Sequence, residues 1–404
     1  MKSIERKFLS LATDNAPGQE VRQKSGGIEH LMRGGLLLGP PVDFSHGDVD
    51  AFAPTPGSLD AFVRGVSVGG SQAYTEYRGS ADIRRRIAGR LESFTGAYVS
   101  SDDGLIITPG TQGALFLAMA STISDGDKVA IVEPDYFANR KLVQFLGGEL
   151  TPVRLDYIAG EARAGLDLDQ LTRAFAEGVS VFVFSNPNNP TGAVYSKDEL
   201  HQIATLAERF GVTVIVDQLY SRLLYSGVSY SHLRAAGLGD EKIVTLMGPS
   251  KTESLSGYRL GVAFGAPSII QRMEKLQAIV SLRAGGYNQS ILRNWFDEPE
   301  GWMEDRIRKH QSIRDDLLAI LRRAGIKART PQAGSYLFPR LPELSISNDE
   351  FVRLLRHQAA VIVTPGAEFG PHSSTSVRLN FSQEHSKAVG AVGRLVEMVE
   401  RYGK

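Results

Sequence analysis

The sequence predicts an α/β protein, with a large domain whose mainly parallel sheet is flanked by helices and a smaller α/β domain assembled from both chain ends. Three observations lead there. Short β-rich runs recur along the middle of the chain, helix-like stretches separate most of them, and 404 residues exceed the roughly 250–300 at which a single core stops growing.

The β-rich runs are Leu105 to Ile107, Lys128 to Val132, Val179 to Phe184, Val212 to Val216, Ile243 to Met247 and Leu260 to Phe264. Their density of Val, Ile and Phe suits strands covered on both faces. Between them Gln112 to Ser121, Lys197 to Arg209 and Pro267 to Ser281 space their apolar residues at helical intervals. Trp302 to Ala324 reads as a long, charge-rich amphipathic helix, and shorter elements follow it. These runs set the expected domains: residues 60–290 form the large one, and 1–59 with 291–404 the small one.

Charge narrows the function. Lys plus Arg number 45 and so do Asp plus Glu, a balance that argues against a surface built for nucleic acid. With no cysteine and eight scattered histidines, disulfides, thiolate chemistry and a metal site find no support. The segment Met1 to Ala12 lacks the continuous apolar stretch of a secretory signal, and nowhere do apolar residues run long enough to span a bilayer. A cytoplasmic protein without membrane contact is expected.

Three polar clusters begin where β-runs stop: Ser185-Asn186-Pro187-Asn188-Asn189-Pro190-Thr191-Gly192, Asp217-Gln218-Leu219-Tyr220, and Gly248-Pro249-Ser250-Lys251. Ligands of open parallel sheets bind beyond the carboxyl ends of the strands, so three clusters at three such ends predict one shared site. Lysines are mostly surface residues, but one placed just past an apolar strand is partly desolvated, which favours the free amine needed for Schiff-base chemistry. Asp217, at a strand end, is placed either to cap the next helix or to hold a pyridine nitrogen protonated. Arg259, eight residues after Lys251 and between Gly257 and Gly261, presents a planar fork suited to phosphate oxygens. Gly110-Thr111-Gln112 opens a helix after a strand, where free N–H groups and the helix dipole favour an anion. No Gly-x-x-x-x-Gly-Lys loop is present, which leaves nucleotide triphosphates without support.

In order and spacing these motifs resemble the class I/II aminotransferases of the aspartate aminotransferase superfamily, the fold-type-I pyridoxal-phosphate enzymes. The match runs from about Pro41 to Ser382, and its most specific pieces are Asn186 to Gly192, Asp217-x-x-Tyr220, and Ser250-Lys251 with Gly257-x-Arg259-x-Gly261. The resemblance implies pyridoxal 5′-phosphate as cofactor and Lys251 as the Schiff-base lysine that moves the proton between Cα and C4′. It implies Asp217 as partner of the pyridine nitrogen, Asn189 and Tyr220 as donors to the phenolic oxygen, and Tyr136 as the aromatic stacked on the ring. Phosphate contacts fall to Gly110, Thr111, Gln112, Arg259 and, across a homodimer interface, Tyr74. The family often has a hydroxyl residue where Gly248 stands, so Ser250 supplies that contact or it is missing.

Arg378 matches the arginine that clamps the substrate carboxylate, Gly47 resembles the glycine that closes over the same group, and Asn189 borders both. Arg283 lies where dicarboxylate-specific members carry a second arginine, but its neighbours match poorly and a solvated arginine is the expected reading. His46 replaces a small or apolar residue. The implied activity is ping-pong transfer of an amino group between an L-amino acid and a 2-oxo acid. Other chemistry of the same cofactor (C–S lyase, decarboxylase, cyclase, oxidase) uses the same residues, and a cofactor-binding sensor without turnover is a further alternative. Against the sensor, no basic helix-turn-helix precedes residue 40.

Overall fold

A computed structural model describes residues 3–11, 27–46, 51–158 and 162–404. Strands are numbered in chain order: β1 Val42–Asp43, β2 Leu105–Pro109, β3 Lys128–Glu133, β4 Glu149–Arg154, β5 Val181–Ser185, β6 Thr213–Asp217, β7 Ile243–Met247, β8 Leu260–Gly265, β9 Tyr336–Leu337, β10 Val361–Ile362, β11 Thr364–Pro365 and β12 Val377–Asn380.

Seven of these form one sheet in the order β2-β8-β7-β6-β5-β3-β4. Pairing is parallel from β7 through β6, β5 and β3 to β4, while β8 is antiparallel to both its neighbours. The sheet is thus mainly parallel, and helices including Gly110–Ala120, Lys197–Phe210 and Pro267–Val280 accompany it. Two buried clusters, one around Phe182, Val214 and Leu200 and one around Ile131, Ile215 and Leu115, carry apolar residues of the same strands and of different helices. Each such buried side chain contributes about 1.5–3 kcal/mol, which favours apolar residues along these strands, although the buried Thr245 sits in the middle of β7. Strand β4 escaped the sequence reading because its residues Glu-Leu-Thr-Pro-Val-Arg are largely polar; it lies at a sheet edge, where Pro152 omits a ladder hydrogen bond without harm.

A further core gathers Val42 and Phe44 with Leu317, Leu321, Phe351, Leu379, Phe381, Leu395 and Met398. It includes the helix Trp302–Arg323, the pair β1-β10 and the antiparallel sheet β11-β12-β9. Val42 faces Val361 across β1-β10, and Asn380 N–H donates to the Phe44 carbonyl at 2.9 Å. Residues near 45 are thereby brought beside those near 378.

Candidate active site

The parallel strands end along one edge of the sheet, and β8, running the other way, begins there. Arg259 immediately precedes β8, with Pro109 of β2 in register with Leu260. A cavity of about 250 Å³ opens at this edge, lined by residues that include Thr111, Gln112, Tyr136, Asn189, Asp217, Tyr220, Ser250, Lys251, Arg259 and Arg378. The three polar clusters thus share one cavity.

One end of the cavity is built from glycines that let backbone and cation approach. Gly110 has φ +79°, and a Cβ there would lie 2.6 Å from Arg259 Nη2; a Cβ on Gly261 would lie 2.4 Å from Thr111 N. Gly248 has the same explanation: a Cβ would stand 2.5 Å from Thr111 Oγ1, so a larger residue at 248 competes with the Thr111 hydroxyl for its place. Arg259 is itself left-handed at φ +53°, and its Nη1 donates to the Ser256 carbonyl at 3.0 Å. The N-terminus of helix Gly110–Ala120, the Thr111 and Ser250 hydroxyls and the Arg259 guanidinium form an end that suits a phosphate.

Further along stand the groups that would face a ring. Asp217 accepts from Leu219 N–H at 2.9 Å, and burial pushes its carboxyl up to about 6 against that hydrogen bond. Tyr136 OH donates to Gln112 Oε1 at 2.9 Å. Tyr220 OH donates to Tyr336 OH at 2.6 Å, and burial raises the Tyr220 phenol above its usual range. Among the described residues Lys251 makes no ion pair, which leaves its amine available in the cavity.

The motif Asn186 to Gly192 divides its labour. Asn188 Oδ1 accepts from Thr191 N at 3.2 Å and Thr191 Oγ1 at 2.6 Å, and Asn186 Oδ1 accepts from Tyr195 N at 3.2 Å. Gly192, at φ +68°, leaves room for Pro331. These residues shape the loop, while Asn189 reaches the cavity and accepts from Arg378 Nη1 at 3.2 Å.

Arg378, on β12, also donates from Nη2 to the Ser45 carbonyl at 2.7 Å and lies 4.5 Å from the Tyr336 and 4.8 Å from the Phe369 ring centroids. Its guanidinium thus lies near two aromatic rings, and His46 lines the same cavity. Gly47 lies outside the described residues. Tyr74 is 76% exposed and does not line the cavity of its own chain. Arg283 departs from the solvated reading: it is half-buried, donates to the Thr75 carbonyl at 2.5 Å and lies 4.8 Å from the Tyr74 and 5.1 Å from the Tyr77 ring centroids.

Tyr336 and Asp135 were missed by sequence reasoning. Tyr336 lies far along the chain from Tyr220 and Arg378, and no local pattern marks it. Asp135 had a signal, its place beside Tyr136 after a strand. It is 3% exposed and takes hydrogen bonds from Ser185 N at 2.8 Å, from Ser185 Oγ and from Tyr136 N at 2.6 Å.

Fold and cavity together describe an α/β protein in which a lysine, an aspartate and two arginines line one cavity. Aminotransferase class I and II matches residues 42–394; the chain belongs to this family and is an aminotransferase. It is similar to a solved aspartate aminotransferase from Rhodobacter sphaeroides 2.4.1, with 64% identity, 100% of both chains covered and a TM-score of 0.96. An aspartate aminotransferase of Sulfolobus acidocaldarius is 28% identical over 340 residues, 82% of this chain and 84% of that one. An aromatic-amino-acid aminotransferase 2 of Thermococcus litoralis is 25% identical over 350 residues, 86% and 89% of the two chains. The family uses pyridoxal phosphate, with amino acids and keto acids as substrates. No helix among the described residues is long and apolar enough to cross a membrane.

Proposed function

We propose that this aminotransferase moves an amino group from an L-amino acid to a 2-oxo acid in ping-pong fashion, with pyridoxal 5′-phosphate held at Lys251. The observation that carries the proposal is that Gly110, Gly248 and Gly261 leave room for Arg259 and Thr111, which line one cavity with Asp217 and Lys251. Gly110, Thr111, Gln112, Ser250 and Arg259 would hold the phosphate, Asp217 the pyridine nitrogen, Asn189 and Tyr220 the phenolic oxygen, and Tyr136 the ring face. Bound there, the cofactor supplies an electron sink for the pair left when the Cα–H bond of the amino acid breaks.

The Lys251 amine is the base that takes the Cα proton. Asp217 is ionised to match a protonated ring nitrogen, and that countercharge offsets the burial which raises its carboxyl in the free protein. Arg378 orients the amino acid by a two-point contact with its α-carboxylate, exchanging its present bonds to Asn189 and Ser45. Gly47 would add a backbone contact as the small domain, residues 1–59 and 291–404, closes on the large one, residues 60–290, and excludes water.

A homodimer belongs to the same proposal, because Tyr74 serves the phosphate only from a neighbouring subunit. The exposure of Leu59, Val63, Val66, Tyr74, Tyr77, Ile279, Val280 and Leu282 supports an apolar interface. Aspartate is the first donor to assay, given the 64% identical protein of that name, and the cytoplasm is the expected location. In the decisive test, the loaded protein meets aspartate, glutamate, aromatic and aliphatic amino acids without a 2-oxo acid. One 2-oxo acid per site followed by arrest is expected. Continuous release of product, ammonia or carbon dioxide would assign a different reaction.

A further inference from the structure

The turns that carry Lys251 and Tyr220 border the same cavity, and next to them in sequence lie members of a set of buried and part-buried charges that the chemistry above does not use. Glu253, two residues after Lys251, is 1% exposed; its Oε1 accepts from Arg222 Nη1 and, at 3.2 Å, from Trp295 Nε1. Arg222, two residues after Tyr220, also sets Nη1 and Nη2 on the two oxygens of Glu298, each at 2.8 Å. Its guanidinium lies 4.0 Å from the centroid of the Phe296 ring. One planar fork therefore spans the Tyr220 turn, the Lys251 turn and the segment 295–298. Arg306 completes the set, donating to Ser254 Oγ at 2.7 Å and to the Ala53 carbonyl.

The Lys251 turn is closed on itself as well. Ser254 N–H donates to the Lys251 carbonyl and Leu255 N–H to the Pro249 carbonyl, both at 3.1 Å, so a displacement of Glu253 is passed to Lys251. Buried ion pairs are often no more stabilising than well-packed apolar residues of the same volume. Stability alone does not account for four charged groups here, whereas a defined spacing between two turns does, since a guanidinium holds two carboxylates at fixed angles.

We propose that the Arg222–Glu253 pair is a positioning device that sets the Lys251 amine relative to the Tyr220 hydroxyl. It rests on the reading that Lys251 carries the cofactor. The charged and polar groups that face Glu253 are Arg222, Glu298, Arg306 and the Trp295 indole, so a variant that keeps every charge separates position from electrostatics. Arg222→Lys is that variant.

The holoenzyme without substrate is titrated by absorbance, which reads protonation of the lysine–cofactor linkage, after borohydride reduction and peptide mapping have located the modified lysine. Arg222→Lys is expected to change the protonation constant by about three-fold and lower kcat by about ten-fold, with KM held within about two-fold. In a Tyr220→Phe background the same substitution should leave the constant where Tyr220→Phe alone puts it. If Arg222→Lys does not fold, Glu253→Asp, which keeps the charge and draws the carboxylate back from Arg222 while leaving Arg222 on Glu298, carries the same expectation. A lower melting temperature with an unmoved protonation constant, or a shift that persists without the Tyr220 hydroxyl, overturns the proposal while Lys251 keeps its role. Reduction that labels a different lysine overturns both.

Discussion

Asp135 is a carboxyl buried without an ion pair among the described residues, satisfied instead by N–H and O–H donors from Ser185 and Tyr136. Burial pushes it up to about 7, against those hydrogen bonds. Between the unfolded value near 3.8 and this one, the native protein keeps a proton that the unfolded chain has released. The stability it contributes is therefore complete below the unfolded value and is lost as pH rises through about 7, at up to about 1.4 kcal/mol per pH unit. Asp135→Asn removes this slope and, by losing an acceptor for Ser185, lowers stability at the acid end. Thermal melts of the cofactor-free proteins from pH 4 to 8 should show the gap between wild type and variant narrowing as pH rises; parallel curves would place the titration elsewhere. In the sequence this segment draws attention to Tyr136, because nothing local shows that Asp135 turns inward to Ser185 across the neighbouring strand.

At the scale of elements, the site depends on a helix start meeting the start of an antiparallel strand. Helix Gly110–Ala120 presents its first N–H groups where Gly261 of β8 passes, and a Cβ on Gly261 would meet Thr111 N at 2.4 Å. That contact is with backbone, which cannot swing away as a side chain can, so Gly261→Ala must shift the helix start or the strand. It is expected to weaken pyridoxal phosphate binding by about ten-fold or more while the circular dichroism of the protein is kept; unchanged affinity in a spectroscopic titration would show that the phosphate end lies elsewhere. Six β-rich runs in the sequence correspond to strands β2, β3, β5, β6, β7 and β8. Strands β1, β9, β10 and β11 have two residues each, too few for an alternation to register, and the reversed direction of β8 leaves no mark in composition.

For the whole molecule, the proposed exchange of Tyr74 makes a prediction that one chain cannot satisfy. Tyr74→Ala and Lys251→Ala should each be depleted in activity, the first for want of a phosphate contact and the second for want of the amine. In a hybrid dimer one site combines an intact Lys251 with an intact Tyr74 from its neighbour. Random remixing of equal amounts should recover about a quarter of wild-type activity, because half the dimers are hybrids with one of two sites restored. No recovery after verified subunit exchange would place Tyr74 outside the partner's site.

Lys251, Asp217, Tyr220 and Asn189 could be picked out in the sequence because each follows a β-run within a few residues, and right-handed parallel connections bring the ends of such runs to one edge, where the antiparallel β8 begins just after Arg259. The same locality makes the family resemblance readable, since its motifs are short and ordered. What tertiary structure alone decided are the contacts between distant segments: Tyr336 on Tyr220, the Ser45 carbonyl on Arg378, the Thr111 hydroxyl in the space left by Gly248, and Arg222 joining Glu253 to Glu298. The hydrogen bonds among them join residues 31 to 333 positions apart, and side-chain packing between separate segments has no periodicity for a sequence to display.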